Sequence, residues 1–138
     1  MARSLSESVF VSGQIQARDV ERFAAGGITT IVNNRPDGEE PGQPASAEIE
    51  AEARAAGLDY HHIPISGGFS NDAVEALGTA LAEAKGGVLL YCKSGTRSAY
   101  LWALARAADG AEAEELVSAA AQAGYDLQPI LPWLRRGT

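Results

Sequence analysis

The chain has 138 residues, 46% hydrophobic and 21% charged, which suits one globular domain (1–138) and excludes a disordered chain. Its formal net charge of −7 excludes non-specific binding to nucleic acid or to an anionic membrane, yet leaves room for one local positive site. A single cysteine excludes an intramolecular disulfide and a cysteine-based zinc cage, and it suits a reducing compartment.

The start, MARSLSESVF, lacks the apolar run of a secretory leader, and no stretch is long and apolar enough to span a bilayer. The expectation is a cytoplasmic protein without membrane or nucleic-acid partners. Val9-Phe10-Val11 predicts a short strand. Arg18 to Ala25 predicts a helix, with Val20, Phe23 and Ala24 at helical spacing and Gly26-Gly27 as its stop. Ile28 to Val32 is continuous and β-branched, as a buried strand is. Asn33 to Pro44 reads as a loop, and Ser46 as the cap of a helix over Ala47 to Ala56 that ends at Gly57.

Leu58 to Ile65 predicts a third strand, and Ser66-Gly67-Gly68 a flexible connection. A helix from Asn71 to Lys85 carries Val74, Leu77 and Leu81 on one face. Val88 to Tyr91 is the fourth strand. Arg97 to Ala108 and Glu112 to Ala123 are further helices, and Leu127 to Leu134 is a short helix or coil. This alternation predicts an α/β fold with a small, mostly parallel four-stranded sheet and helices on both faces. Ligands of such sheets bind beyond the carboxyl ends of the strands, where loops 33–44, 66–71 and 93–96 meet.

The chemistry concentrates in YCKSGTRSA, Tyr91 to Ala99. Cys92 ends an apolar strand, Arg97 and Ser98 open a helix, and Lys93, Ser94, Gly95 and Thr96 form the turn between. The amides of such a turn and the positive end of the next helix form an anion cradle that favours a thiolate. Arg97 offers a planar fork suited to two oxygens of a phosphate, and Gly95 lets the backbone approach closely. Ser98 is placed to donate a hydrogen bond to the cysteine sulfur. Arg35, at the end of the second strand, either extends this positive site or pairs with Glu39 and Glu40. That acidic run, like Glu112 to Glu115, reads as solvated.

The motif resembles the Cys-x5-Arg-Ser/Thr signature of the protein-tyrosine and dual-specificity phosphatase superfamily. VFVSGQI, GITTIVNNRPDGEEPGQP, YHHIPISGG and YCKSGTRSAYLWAL together resemble a small bacterial phosphatase-like family. That family also occurs as a domain fused to beta-lactamase-like hydrolases. The resemblance implies a phosphatase-like fold and hydrolysis of phosphate esters through a cysteinyl-phosphate on Cys92. Arg97 and the loop amides of residues 93–96 would hold the phosphate oxygens, and Ser98 would ease release of the thiolate. No metal or cofactor is implied.

Four residues separate Cys92 from Arg97, one fewer than in that signature. The shorter loop and the string CKSGTRS also resemble the active loop of rhodanese sulfurtransferases, where Cys92 would carry a persulfide. A third reading is a non-catalytic phosphate- or sulfate-binding module. Dual-specificity phosphatases place their general-acid aspartate after the third strand, where this chain has Ser66-Gly67-Gly68. Asp72 lies just beyond but also suits the first turn of a helix. Asp37, in an exposed Pro-Asp-Gly loop at the same sheet end, is the better substitute for the general acid, or a simple turn residue. His61 and His62, adjacent on a strand, face opposite sides and form no metal pair: one is core-facing and the other covered by a helix. Tyr91 and Trp102 read as packing, Tyr100 as rim, and Trp133 as a tail anchor or a dimer contact.

Overall fold

The structure, a computed structural model, describes residues 2–136. Its five strands are β1 (Arg3–Ser4), β2 (Val9–Ser12), β3 (Ile28–Asn33), β4 (Asp59–His62) and β5 (Gly87–Tyr91). Its six helices are α1 (Val20–Ala25), α2 (Ser46–Ala55), α3 (Asn71–Glu83), α4 (Thr96–Ala108), α5 (Ala113–Gln122) and α6 (Leu131–Arg136). The sheet order is β1-β2-β5-β3-β4. Strands β2, β5, β3 and β4 are parallel, and β1 adds an antiparallel edge. The expected four-stranded parallel sheet is therefore present with a fifth, two-residue strand. Arg3-Ser4 has no apolar side chain to mark it, and only pairing with Phe10 and Val11 makes it a strand.

Alternation along β5 explains the two layers. Leu89 and Tyr91 point to one face, where Val20, Ile31, Ile49 and Ala53 pack them under α1 and α2. Val88 and Leu90 point to the other face, toward α3, α4, α5 and α6. Ile31, Ile49, Leu77 and Leu101 are all fully buried, and each such side chain contributes about 1.5–3 kcal/mol. Helix α4 lies deepest: Ala99, Ala103, Ala105 and Ala107 are buried around it, so the element that follows Cys92 is held on several sides. Two residues of the expected third strand, Ile63 and Ile65, lie outside β4 but still donate to the carbonyls of Asn33 and Asn34. Pro64, which has no N–H, ends the regular ladder between them.

Three local expectations change. Ser46 is the first residue of α2, and the cap position belongs to Ala45. The Ser46 hydroxyl is taken by Tyr60 Oη at 2.7 Å, while Asp37 Oδ1 accepts the Ser46 N–H at 2.8 Å. Helix α2 is thus capped by a residue from the preceding loop. Trp133 is 55% exposed, and the tail is anchored instead by its neighbours, Leu134, fully buried, and Leu131, packed against the same core. His61 is half-buried and His62 exposed, so neither is core-facing. His62 Nε2 donates to the Arg35 carbonyl at 2.8 Å, since a carbonyl only accepts. Asp72 does lie in the first turn of α3, which Ser70 caps by accepting the Ala73 N–H.

Candidate active site

Strand β5 delivers Cys92, 1% exposed, to the floor of a loop that ends in α4. Gly95 is the N-cap of α4 with φ of 100°, a left-handed conformation that favours glycine. Its N–H donates to Cys92 Sγ at 3.2 Å. The loop carbonyls turn outward to partners: the Lys93 carbonyl accepts the Gln14 N–H at 3.2 Å, and the Ser94 carbonyl accepts the Tyr125 hydroxyl at 3.1 Å. With these carbonyls turned outward, the Gly95 amide faces the sulfur, the Thr96 amide donates to Ser94 Oγ at 3.4 Å, and the first-turn amides of α4 that follow have no intrahelical acceptor. Close packing holds this shape. A Cβ on Gly13 would stand 2.9 Å from the Lys93 carbonyl, and one on Gly95 would collide with Tyr125.

Arg97 has five N–H donors in a planar fork. Nη1 donates to Glu39 Oε2 at 2.7 Å and to the Ile65 carbonyl at 2.9 Å, and Nη2 donates to Glu39 Oε1 at 2.9 Å. That clamps one edge and leaves Nε–H and one Nη2–H as a parallel pair, the geometry that fits two oxygens of an oxyanion. Glu39 comes first, and the Cys92 charge is also among the groups that raise the Arg97 pKa.

Glu39 is shared. Arg35 Nε donates to its Oε1 at 2.8 Å, while Arg35 Nη1 bonds Gln14 Oε1 at 3.0 Å and Nη2 bonds Glu40 Oε1 at 2.9 Å. Lys93 Nζ lies 3.6 Å from Glu40 Oε2. Of the two readings of Arg35, pairing with the acidic run is therefore the observed one. Arg35 is only 1% exposed, and its guanidinium holds Glu39 in place.

Ser98 is buried, and in this structure its hydroxyl is not bonded to the sulfur. Its hydroxyl donates to Asn34 Oδ1 at 2.7 Å, because Asn34 Nδ2 is committed to the Ile63 carbonyl at 2.9 Å and so turns its oxygen toward α4. One hydroxyl has one proton, and the donor to sulfur is the Gly95 amide instead. Ser94 and Thr96 bond each other through their hydroxyls at 3.2 Å. Asp37 stands on the same loop as Glu39, exposed, with Oδ1 held by the Ser46 amide. Among the described residues no group of three or more His, Cys, Asp or Glu could hold a metal ion, and no helix is long and apolar enough to cross a membrane.

Residues 2–109, which hold this cysteine, its loop and the clamped arginine, match the family described as the phosphatase-like domain of beta-lactamase hydrolase-like protein. The chain belongs to that family. Relatives named beta-lactamase hydrolase-like protein, from Xylella fastidiosa and Agrobacterium fabrum, are 40% and 38% identical over 134 residues. These cover 96% of this chain but 31% of each relative, so the chain spans about a third of their length. The crystal structure of a candidate phosphatase from Neisseria meningitidis has a TM-score of 0.85 at 35% identity. It covers 99% of this chain and 97% of that one.

Within this phosphatase-like domain, the tertiary structure adds Gln14, Asn34 and Tyr125 to the residues named from sequence, and makes Glu39 a partner of Arg97 as well as of Arg35. A signal for Glu39 was present: an acidic pair four and five residues beyond the arginine that ends a strand, at the sheet edge where Cys92 also emerges. The hydrogen bonds from Arg97 and then Arg35 hold the Glu39 carboxyl down to about 2. A depressed carboxylate stabilises the fold fully above its unfolded value, near 4.5, and that stabilisation is lost as pH falls toward 2. Glu39→Gln should therefore unfold at lower urea than the wild type at neutral pH, and the gap should close between pH 4.5 and about 2. A gap independent of pH would show that the clamp contributes no charge interaction.

Proposed function

We propose that this domain is a cysteine-dependent hydrolase of phosphate monoesters. The observation that carries the reading is the geometry of Arg97, clamped on one edge by Glu39 and Ile65 while a two-donor edge remains beside Cys92. Cys92 Sγ attacks phosphorus, the S–P bond forms, and the P–O bond to the organic group breaks. Arg97 and the inward amides of the loop hold the phosphoryl oxygens as charge develops on them. The departing oxygen keeps the electron pair and takes a proton from Asp37. Water then forms a P–O bond as S–P breaks, returns a proton to Asp37, and leaves phosphate and the thiolate. Family membership favours phosphate over sulfur as the cargo.

Asp37 is assigned as the acid because Glu39 is fixed as a carboxylate by two arginines, whereas Asp37 bonds only one backbone amide. Asp37→Asn separates this role from its cap, since asparagine keeps an acceptor for the Ser46 N–H. It should lower kcat by about 10²-fold or more, the low end of general-acid contributions, with little change in melting temperature. Retained kcat in Asp37→Asn would reduce Asp37 to a cap.

The decisive assay compares aryl phosphate hydrolysis with transfer of sulfur from thiosulfate to cyanide. Phosphate release is the expected result. A persulfide mass on Cys92 without phosphate release would make the domain a sulfurtransferase. Neither activity, with stabilisation by inorganic phosphate through Arg97, would make it a binding module.

A further inference from the structure

The peptide unit between Ser94 and Gly95 is held from both sides. Its N–H, on Gly95, donates to Cys92 Sγ at 3.2 Å, and its carbonyl, on Ser94, accepts the Tyr125 hydroxyl at 3.1 Å. The unit is trans, as are all peptides among the described residues, so these two groups point in opposite directions. A donor that holds the carbonyl outward therefore also turns the amide inward, toward the sulfur. Gly95 makes that restraint necessary. Its φ is 100°, but glycine takes positive and negative φ about equally, so a plane beside it can turn over at little cost. Turned over, the Ser94 carbonyl would face Sγ, and its oxygen would repel a thiolate and any oxyanion bound there.

The end of α5 delivers the hydroxyl. Gly124, with φ of 96°, donates its N–H to the Ala121 carbonyl at 3.0 Å, and the Tyr125 N–H reaches back to the Ala120 carbonyl at 2.8 Å. These are the paired bonds of a Schellman stop, and they fix the direction in which Tyr125 leaves the helix. From β1, Arg3 Nη1 donates to the Ala123 carbonyl of the same turn at 3.0 Å. The Tyr125 ring occupies the space that a Cβ on Gly95 would need, so it covers the loop from its outer face. Burial raises the Tyr125 pKa, and the Cys92 charge also raises it, against Arg3, so the hydroxyl keeps its proton and remains a donor. Tyr125 lies beyond residues 2–109, the stretch that matches the family.

We propose that Tyr125 is a positioning residue for the anion cradle: its hydroxyl locks the Ser94–Gly95 peptide with the amide toward Cys92. It acts through that peptide, from the outer face of the loop. The lock is the same whether phosphate or sulfur is the cargo, and its effect on turnover rests on the phosphate-ester reading above.

The test is Tyr125→Phe, which keeps the ring over Gly95 and removes the hydroxyl. Amide hydrogen exchange, read by nuclear magnetic resonance, should speed up about tenfold at Gly95, the scale of one ordinary hydrogen bond, while Leu89 and Leu90 in β5 exchange as in the wild type. The kcat/KM for an aryl phosphate should fall by about the same factor, because only the fraction with an inward amide is competent. Placing 4-aminophenylalanine at position 125, which retains a donor, should restore both. Unchanged exchange at Gly95 overturns the lock. So does faster exchange spread equally over β5, which would make Tyr125 a packing residue only, and so does failure of the retained donor to restore Gly95. Faster exchange at Gly95 with an unchanged kcat/KM overturns the positioning role and leaves the hydrolase standing. If Gly95 responds as expected and the wild type releases no phosphate, the lock stands and the hydrolase reading falls.

Discussion

Cys92→Ser should reduce phosphate release from an aryl phosphate by about 10⁴-fold or more, the scale on which loss of a nucleophile is felt. The substitution is nearly isosteric at a position 1% exposed, and a serine oxygen still accepts the Gly95 N–H. The fold and the amide-lined loop are thus expected to survive, with a melting temperature close to that of the wild type. What is lost is the nucleophile itself. A serine hydroxyl needs a base to attack, and the residues whose side chains bond around the loop are Arg97, Glu39, Tyr125 and the Ser94–Thr96 pair. Glu39 is spent on two arginines. Because Arg97 and the amides remain, Cys92→Ser should still be stabilised by inorganic phosphate. If the variant kept its turnover, Cys92 would not be the nucleophile.

The second large effect is expected for Arg97→Lys. Lysine keeps the charge but not the fork. It can satisfy Glu39 as a point charge, yet it cannot hold Glu39 and the Ile65 carbonyl while presenting two parallel donors to a phosphoryl group. Losing such transition-state contacts costs about 10²–10³ in kcat, as for removal of an oxyanion donor. The drop should fall on kcat more than on KM, since charge accumulates on the phosphoryl oxygens as the reaction proceeds. Stability should fall by no more than about 1 kcal/mol, the worth of an ordinary hydrogen bond, because Arg97 is partly exposed. A kcat within threefold of the wild type would mean that the amides alone carry the anion.

The acidic run Glu39-Glu40 shows why part of the site escapes a linear reading. Two adjacent glutamates in a Pro- and Gly-rich loop look solvated, and the nearby Arg35 offers a pairing that the chain alone does not separate from a second role at the anion site. Their partners are Arg35 just after β3, Lys93 in the catalytic loop and Arg97 in α4, which the adjacency of β3 and β5 in the sheet brings to one end. The hydrogen bond of Ser98 is hidden from a linear reading for the same reason. A hydroxyl six residues from Cys92 is a plausible donor to it along the chain, but in space Asn34 is in reach, and a single proton goes to one acceptor. Ser46 fails more locally, since Asp37, nine residues earlier, reaches the amide that a self-cap would have left to water.

The parallel strands and their helices were legible because hydrophobic period and glycine stops are properties of consecutive residues, as are the Cys92-to-Arg97 spacing and the strand-to-helix junction that holds it. These determined the fold class, the family and the position of the thiol. Tertiary structure alone decided which donor meets the sulfur, which edge of Arg97 stays free, that Arg35 is buried, and that Arg3 and Tyr125 flank the loop from opposite ends of the chain. The physical reason is that hydrogen bonds and ion pairs join side chains by distance and direction. The side-chain pairs that matter at the site lie up to 64 residues apart, beyond the reach of any periodicity.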